Sequence, residues 1–317
     1  METLIKAIAK FIEENPVLNV SGIEIQAGVP KGTLQKALGG FQKLSQHNAE
    51  KLMPVLTRYG FQFDSGAKII SIANNKGGVA KTASTVNIAA AIAKQGLKTL
   101  IIDMDPQGSA SRHFGQYELE VQLSDSLREN APLPIEQIMV EVKENLWICP
   151  SNLNLEGLLS EMQSDEVEGN MRLKKALMPI AGKFDYIFID CPPSLNLFTI
   201  NSLIASNGVL VPVQPEPHSI DGIANIMKMI NKVAMVNPIL KVDGFFFTLV
   251  KTNTKLHEGM MDSLQDIYPN IKVYQTRIRH NISISEASYE EKDVLAYDSS
   301  SAGAKDYTNL SKELING

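Results

Sequence analysis

The chain has 317 residues, 44% of them hydrophobic, and a formal net charge of −5, enough apolar material for one large domain or one large and one small domain. No apolar run approaches the roughly 18 to 20 residues a membrane span needs, and the start METLIKAIAKFIEENP mixes charges with apolar residues, unlike a secretory signal, so a cytosolic protein is expected. Cys149 and Cys191 stand alone, without C-x-x-C spacing, which argues against a metal cage or a disulfide framework and suggests two reduced thiols.

Residues 1 to about 63 read as short helices with no strand signal. In "SGIEIQAGVPKGTLQKALGG", Ser21 is expected to cap a first helix, Gly28-Val29-Pro30 to make a turn, and a second helix to run from Lys31 to Leu38 before Gly39-Gly40. Ile25, Ala27, Val29, Leu34 and Leu38 would then face inward. Lys31, Thr33, Gln35 and Lys36 would form the outer face of the second helix, where a reading helix presents polar side chains to bases. A further amphipathic helix, "NAEKLMPVLTRYGF", would close the bundle. The stretch resembles phage-repressor-type helix-turn-helix domains. Residues 21 to 60 carry five bases against two acids, a modest aid to a DNA reading, and a dimerisation or docking module fits the same pattern.

"FDSGAK", around Asp64 to Lys68, is the natural linker, so the expected domains are 1–66 and 67–317. Beyond it the pattern changes. "KIISIA", "KTLIID", "LWICPS", "FDYIFID", "GVLVPV", "VDGFFFTLV" and "IKVYQT" are brief apolar runs, most of them separated by helix-length amphipathic segments. That alternation predicts an α/β fold, a mostly parallel twisted sheet flanked by helices, preceded by the small all-α unit.

The first strand runs into "NNKGGVAKT". The ordinary phosphate-loop pattern wants Gly where this chain has Asn75 and Ala80, and an extra lysine, Lys76, is present. The context is still that of a phosphate site: an apolar strand, a Gly-rich turn, and a helix beginning near Lys81. Backbone N–H groups of turn and helix start would point at phosphate oxygens, Lys81 would supply charge and Thr82 a hydroxyl for Mg²⁺. Gly77 and Gly78 permit close backbone approach. Ala80 adds a methyl that is tolerated if the residue is already helical. Two more strands, in "TLIIDMDPQGSAS" and "FDYIFIDCPPSL", end in Asp at their carboxyl ends, where open parallel sheets bind ligands. In such a site one Asp holds Mg²⁺ and another orients the attacking water.

"KGGVAKT", "DMDPQGSAS" and "FIDCPPSL" together resemble the deviant Walker motifs of ParA-type partition ATPases, in the group that includes MinD. The likeness continues through "LVPVQPEPHSIDGI" to about residue 315. It implies an ATP hydrolase, weak without its partner, with ATP and Mg²⁺ as ligands. It implies a nucleotide loop of Lys76, Gly77, Gly78, Val79, Ala80, Lys81, Thr82 and Ala83. By the same likeness Lys76 reaches across an ATP-bound homodimer to the phosphates of the other subunit, and Lys81 and Thr82 serve the phosphates and metal in cis. Asp105 positions the water, and Asp103 and Asp190 join Thr82 in the metal shell. A base contact is expected near Lys251 or Thr252, where the match is loose.

Charge is uneven along the chain: residues 116 to 168 hold twelve acids and two bases, whereas 228 to 280 hold eight bases and four acids. ParA dimers are similar in binding nonspecific DNA through such a basic region. The resemblance places Lys251, Lys255, Arg277, Arg279 and His280 there, with Lys228 and Lys232 extending the patch; an ordinary solvated face is the plainer reading. The expected partners are therefore a second copy, DNA, and a ParB-type centromere-binding protein, with no membrane. A MinD-type membrane-cycling ATPase would need a basic amphipathic tail, and "GAKDYTNLSKELING" carries two lysines and two acids. A nucleotide-gated DNA-binding repressor with negligible turnover is the other alternative. An iron-sulfur reductase lacks its cysteine pattern here.

Overall fold

The computed structural model describes residues 2–61, 66–165, 168–216, 219–251 and 255–316, in two compact units: residues 1–67 with 178–182, and the remainder. Of the expected linker, residues 63–65 lie outside the described residues, and Lys68 already begins the first strand.

The first unit contains four helices, α1 (Glu2–Glu14), α2 (Val20–Gln26), α3 (Thr33–Leu38) and α4 (Gln46–Arg58). Leu4, Ile8, Ile23, Val29, Leu34, Leu52 and Leu56 form its apolar centre. Four expectations need correction. The cap of α2 is Asn19, whose side chain accepts from the N–H groups of Ser21 and Gly22, so Ser21 lies inside the helix. Ile25 is 74% exposed. The second helix starts at Thr33, because Gly32 before it takes a left-handed conformation at φ 82; Thr33 lies on the inner side with Leu34 and Ala37, 7% exposed, rather than on the outer face.

The second unit is built on a seven-stranded sheet: β1 (Lys68–Ile72), β2 (Thr99–Asp103), β3 (Val140–Lys143), β4 (Leu146–Cys149), β5 (Tyr186–Asp190), β6 (Gly208–Val213) and β7 (Lys241–Phe247). Their spatial order is β3-β4-β2-β5-β1-β6-β7. All neighbours pair in parallel except β3 with β4. Central strands such as TLIID and GVLVPV are buried along their whole length, as strands must be when helices cover both faces. Sequence reading missed β3, whose VEVK alternates half-buried and exposed residues. The run IKVYQT is not a strand. It contributes only an isolated bridge from Val273 to Phe245, beside the bulge where Gly244 at φ 155 interrupts the register of β7.

Candidate nucleotide site

The loop Asn74–Ala80 joins β1 to α5 (Lys81–Ala93) and is tied down at several points. Asn74 Nδ2 donates to the Pro212 carbonyl at 2.8 Å, Asn74 Oδ1 accepts from the Lys76 N–H at 3.0 Å, and Thr248 Oγ1 donates to the Val79 carbonyl at 3.1 Å. A Cβ added at Gly77 or Gly78 would meet nothing within 4 Å, so the space before the loop is open. Ala80 is the helix cap and is left-handed, at φ 59 and ψ 36. The condition on which its methyl would be tolerated, that the residue is already helical, is therefore not met. It occupies a conformation that costs an L-residue about 1–2 kcal/mol, which explains why glycine is the ordinary choice there. Ala83 lies in the first turn of α5.

The two lysines behave differently. Lys81 is buried, 7% exposed, and its Nζ folds back to donate to the Lys76 carbonyl at 3.0 Å. Burial lowers its pKa, opposed chiefly by the Asp190 charge. Lys76 instead points away from its own loop and pairs with Glu216 Oε2 at 2.5 Å, with Ser219 Oγ at 3.5 Å. That pairing holds the Glu216 carboxyl below its ordinary value. Lys251 is exposed, and its charge reaches the same glutamate.

Parallel pairing of β2 with β5 sets Asp103 beside Asp190 in register, and Ile72 of β1 beside Asp190. Both carboxylates are fully buried. Burial raises their pKa values, Asp103 to about 7 and Asp190 to about 8, with the neighbouring carboxylate adding to the effect at Asp190. Their surroundings differ. Asp103 Oδ2 accepts from the Ser111 N–H at 2.8 Å and hydroxyl at 2.6 Å, and Oδ1 from the Asp105 N–H at 3.3 Å. Asp190 Oδ1 accepts from Thr85 at 3.0 Å, but Oδ2 is buried without a hydrogen-bond partner. Thr82 also acts on the Asp190 carboxyl and opposes its rise. An orphaned buried oxygen beside a threonine hydroxyl is a donor set suited to a hard divalent cation. The fit is thus to Thr82 and Asp190 directly, with Asp103 committed to Ser111 and Asp105. Asp105 is half-buried beyond β2, and its Oδ1 accepts from the Gln107 N–H at 2.9 Å.

Other expected residues scatter. Lys31, Gln35 and Lys36 are exposed on and before α3, without Thr33. Lys228, Lys232 and His280 are exposed and Arg277 is half-buried. Lys255 begins a helix, but its side chain lies outside what is described, and Thr252 lies outside the described residues. Arg279 is paired: its guanidinium grips Asp306 through Nε at 2.9 Å and Nη2 at 2.6 Å, which engages two of its five N–H donors.

Sequence reading passed over two acids that matter. Glu216 sits inside the recognised stretch "LVPVQPEPHSIDGI", so its proximity to the motif was the available signal. Glu24 on α2 is fully buried and accepts from the N–H groups of Gly32 at 2.7 Å, Leu34 at 2.7 Å and Gln35 at 3.1 Å; a surface-like glutamate in a helix gives no local hint of that.

Comparison with known proteins gives a consistent result. The AAA domain family model matches residues 67–242. Similar proteins include the sporulation initiation inhibitor protein Soj of Bacillus subtilis, 36% identical over 250 residues, covering 78% of this chain and 98% of Soj. Among solved structures, cobyrinic acid a,c-diamide synthase of Mycobacterium smegmatis with ADP and magnesium superposes with a TM-score of 0.68 at 29% identity, covering 79% of this chain and 94% of that one. A plasmid partition protein of Borrelia burgdorferi bound to AMPPNP gives 0.65 at 27% identity, covering 79% and 98%. The sheet order, the loop before α5 and these similarities together make the chain a member of the ParA/Soj family of partition ATPases, built on an AAA domain of the phosphate-loop type.

Proposed function

We propose that the chain is an ATP-driven DNA-segregation switch. ATP closes a face-to-face homodimer, the dimer holds DNA without sequence preference, and a ParB-type centromere-binding partner stimulates hydrolysis that releases it. The observation that carries this reading is the contrast between two lysines of one loop. Lys81 is folded into its own site, whereas Lys76 points outward to an exposed acid, available to the γ-phosphate charge of a second copy. In that reading the nucleotide loop is Lys76, Gly77, Gly78, Val79, Ala80, Lys81, Thr82 and Ala83.

Thr82 and the orphaned oxygen of Asp190 would hold Mg²⁺, which when bound neutralises phosphate charge. Lys81 binds and orients the phosphates, and Asp105 orients the attacking water. The amino-terminal unit adds sequence-specific DNA binding through Lys31, Gln35 and Lys36, at the promoter of its own operon. Lys228, Lys232, Lys251, Lys255 and Arg277 supply the nonspecific surface, whose hold on DNA weakens steeply with salt. The MinD-type membrane alternative gains no support from the helix Ala302–Ile315, whose Tyr307, Leu310 and Leu314 are buried in the fold. Among the described residues no helix is long and apolar enough to cross a membrane.

The test is oligomeric state and DNA retention without nucleotide, with ADP and with a non-hydrolysable ATP analogue, for the full chain and for Lys76→Ala. Dimerisation and DNA retention only with the triphosphate, both lost in Lys76→Ala, are expected. A chain that stays monomeric at saturating analogue refutes the proposal.

A further inference from the structure

Ser151 follows β4, outside the phosphate loop and outside both acidic motifs, and is fully buried. Its hydroxyl donates to the backbone carbonyl of Asp105 at 2.8 Å, and its N–H donates to Ser111 Oγ at 2.9 Å. The Ser111 hydroxyl donates in turn to Asp103 Oδ2 at 2.6 Å, and the Asp105 N–H donates to Asp103 Oδ1 at 3.3 Å. The four residues close a ring. Within it the Asp105 residue is held at its N–H and at its C=O, so its side chain leaves the backbone in a fixed direction.

The approach is close enough to require glycine. Gly108 lies against Ser151 in a left-handed conformation at φ 61, and a Cβ there would fall 2.5 Å from the Ser151 carbonyl oxygen. The loop after β2 is thereby seated on the end of β4 rather than left to solvent. Asp105 also makes two local bonds, its carboxylate accepting from the Gln107 N–H at 2.9 Å and its carbonyl from the Gly108 N–H at 2.8 Å, which shape the turn but do not attach it to the end of β4. The Ser151 hydroxyl does.

We propose that Ser151 is a positioning residue for ATP hydrolysis, anchoring the Asp105 backbone to β4 with Ser111 as the link to Asp103. The proposal rests on the reading of Asp105 as the residue that orients the attacking water. A group that must direct a water is sensitive to displacement: a shift of about 1 Å can lower a rate by about 100-fold, while nucleotide binding, which depends on the loop before α5, is left alone.

The experiment is single-turnover ATP hydrolysis together with nucleotide affinity, for the full chain, Ser151→Ala, Asp105→Ala and the double variant. Ser151→Ala is expected to slow hydrolysis about tenfold, the effect of losing roughly one hydrogen bond at the reacting geometry, with ATP affinity within about twofold. The double variant is expected to be no slower than Asp105→Ala, because the two changes act on one group. Wild-type hydrolysis by Ser151→Ala beside an inactive Asp105→Ala overturns the proposal. So does a Ser151→Ala loss that multiplies that of Asp105→Ala, since it marks a general structural effect. Wild-type hydrolysis by Asp105→Ala refutes the underlying reading instead, and is visible separately. Should Ser151→Ala fail to fold, Ser151→Cys keeps the volume with a weaker donor: slowed hydrolysis at unchanged affinity supports the anchor, and an unchanged rate overturns it.

Discussion

Glu24→Ala tests how the amino-terminal unit holds α3. The wild-type carboxylate is fully buried and accepts three backbone N–H groups, from Gly32, Leu34 and Gln35. It does for α3 what a cap residue does for an ordinary helix, but from the neighbouring helix. No local side chain duplicates it, since the cap position is Gly32. Losing a cap costs about 1 kcal/mol, and leaving a buried donor such as the Leu34 N–H unpaired costs about 1–3 kcal/mol more. The sum is about 3 kcal/mol, reduced somewhat because the desolvation of a buried carboxylate is removed as well. A unit of this length has a total stability of about 3–9 kcal/mol, so the loss is a large share and corresponds to a drop of about 12–24 °C in melting temperature. Hydrogen exchange of the full chain reads this locally: peptides covering residues 32–38 should lose protection in Glu24→Ala. Trp147, the one tryptophan and part of β4, should report an unchanged second unit. Unchanged protection over residues 32–38 would refute the claim that Glu24 organises this corner.

Ala80→Gly should stabilise the second unit slightly, by about 0.5 kcal/mol, because relief of a left-handed alanine (about 1–2 kcal/mol) exceeds the added backbone entropy of glycine (about 0.5–1 kcal/mol). Its chemical denaturation midpoint should rise, and a fall contradicts the assigned φ. For pH, the folded-state values of Asp103 and Asp190 are raised, so their contribution to metal-free stability is full below about pH 4 and is lost as pH rises through about 7 to 8. Metal binding runs the other way, since it needs the ionised carboxylate. Mg²⁺-dependent thermal stabilisation by a non-hydrolysable ATP analogue should therefore grow from pH 6 to pH 8.5, by up to about tenfold in apparent affinity per pH unit while one proton is displaced. Asp190→Asn should lower Mg²⁺-dependent analogue affinity by about 100-fold and remove that pH dependence; isothermal titration at the two pH values measures both.

Much of the fold was legible because its signals are local. β1, β2, β5 and β6 are short apolar runs buried on both faces, and the two strand-end aspartates stand where a parallel sheet displays ligand groups. Signals of longer range were not. β3 is an antiparallel edge strand with half its residues in solvent, so it lacks the continuous apolar run that marks its neighbours. IKVYQT has that composition, yet it runs along the outer side of β7 with scattered bonds, Phe245 N–H to the Lys272 carbonyl and Tyr274 N–H to the Phe245 carbonyl, and forms no ladder. Thr33 was misplaced because it stands at the first position of a six-residue helix after a left-handed glycine and is buried with Leu34 and Ala37, which a polar residue there does not announce. At the candidate site, residue types were readable and commitments were not. Only tertiary contact reveals that Arg279 is occupied by Asp306, or that Ser151 reaches Asp105 across 46 positions.

The two lysines of the phosphate loop follow from opposite solutions to one electrostatic problem. Lys81 gives up water for a carbonyl of its own loop and the field of buried carboxylates, so its charge is fixed in place before any ligand arrives. Lys76 stays at the surface, and its Glu216 partner is itself exposed. An exposed ion pair contributes little and exchanges readily. A triphosphate brings several negative charges where Glu216 offers one, and closing a dimer would also exclude water from the new contact and strengthen it. In the proposed dimer, exchange of Glu216 for phosphate would then be favoured only when the γ-phosphate is present and a second chain supplies it. On this argument Glu216→Gln should raise the fraction of dimer at subsaturating triphosphate in sedimentation experiments, with no dimer formed in ADP; equal dimerisation of wild type and variant at every concentration would show that the pair does not restrain Lys76.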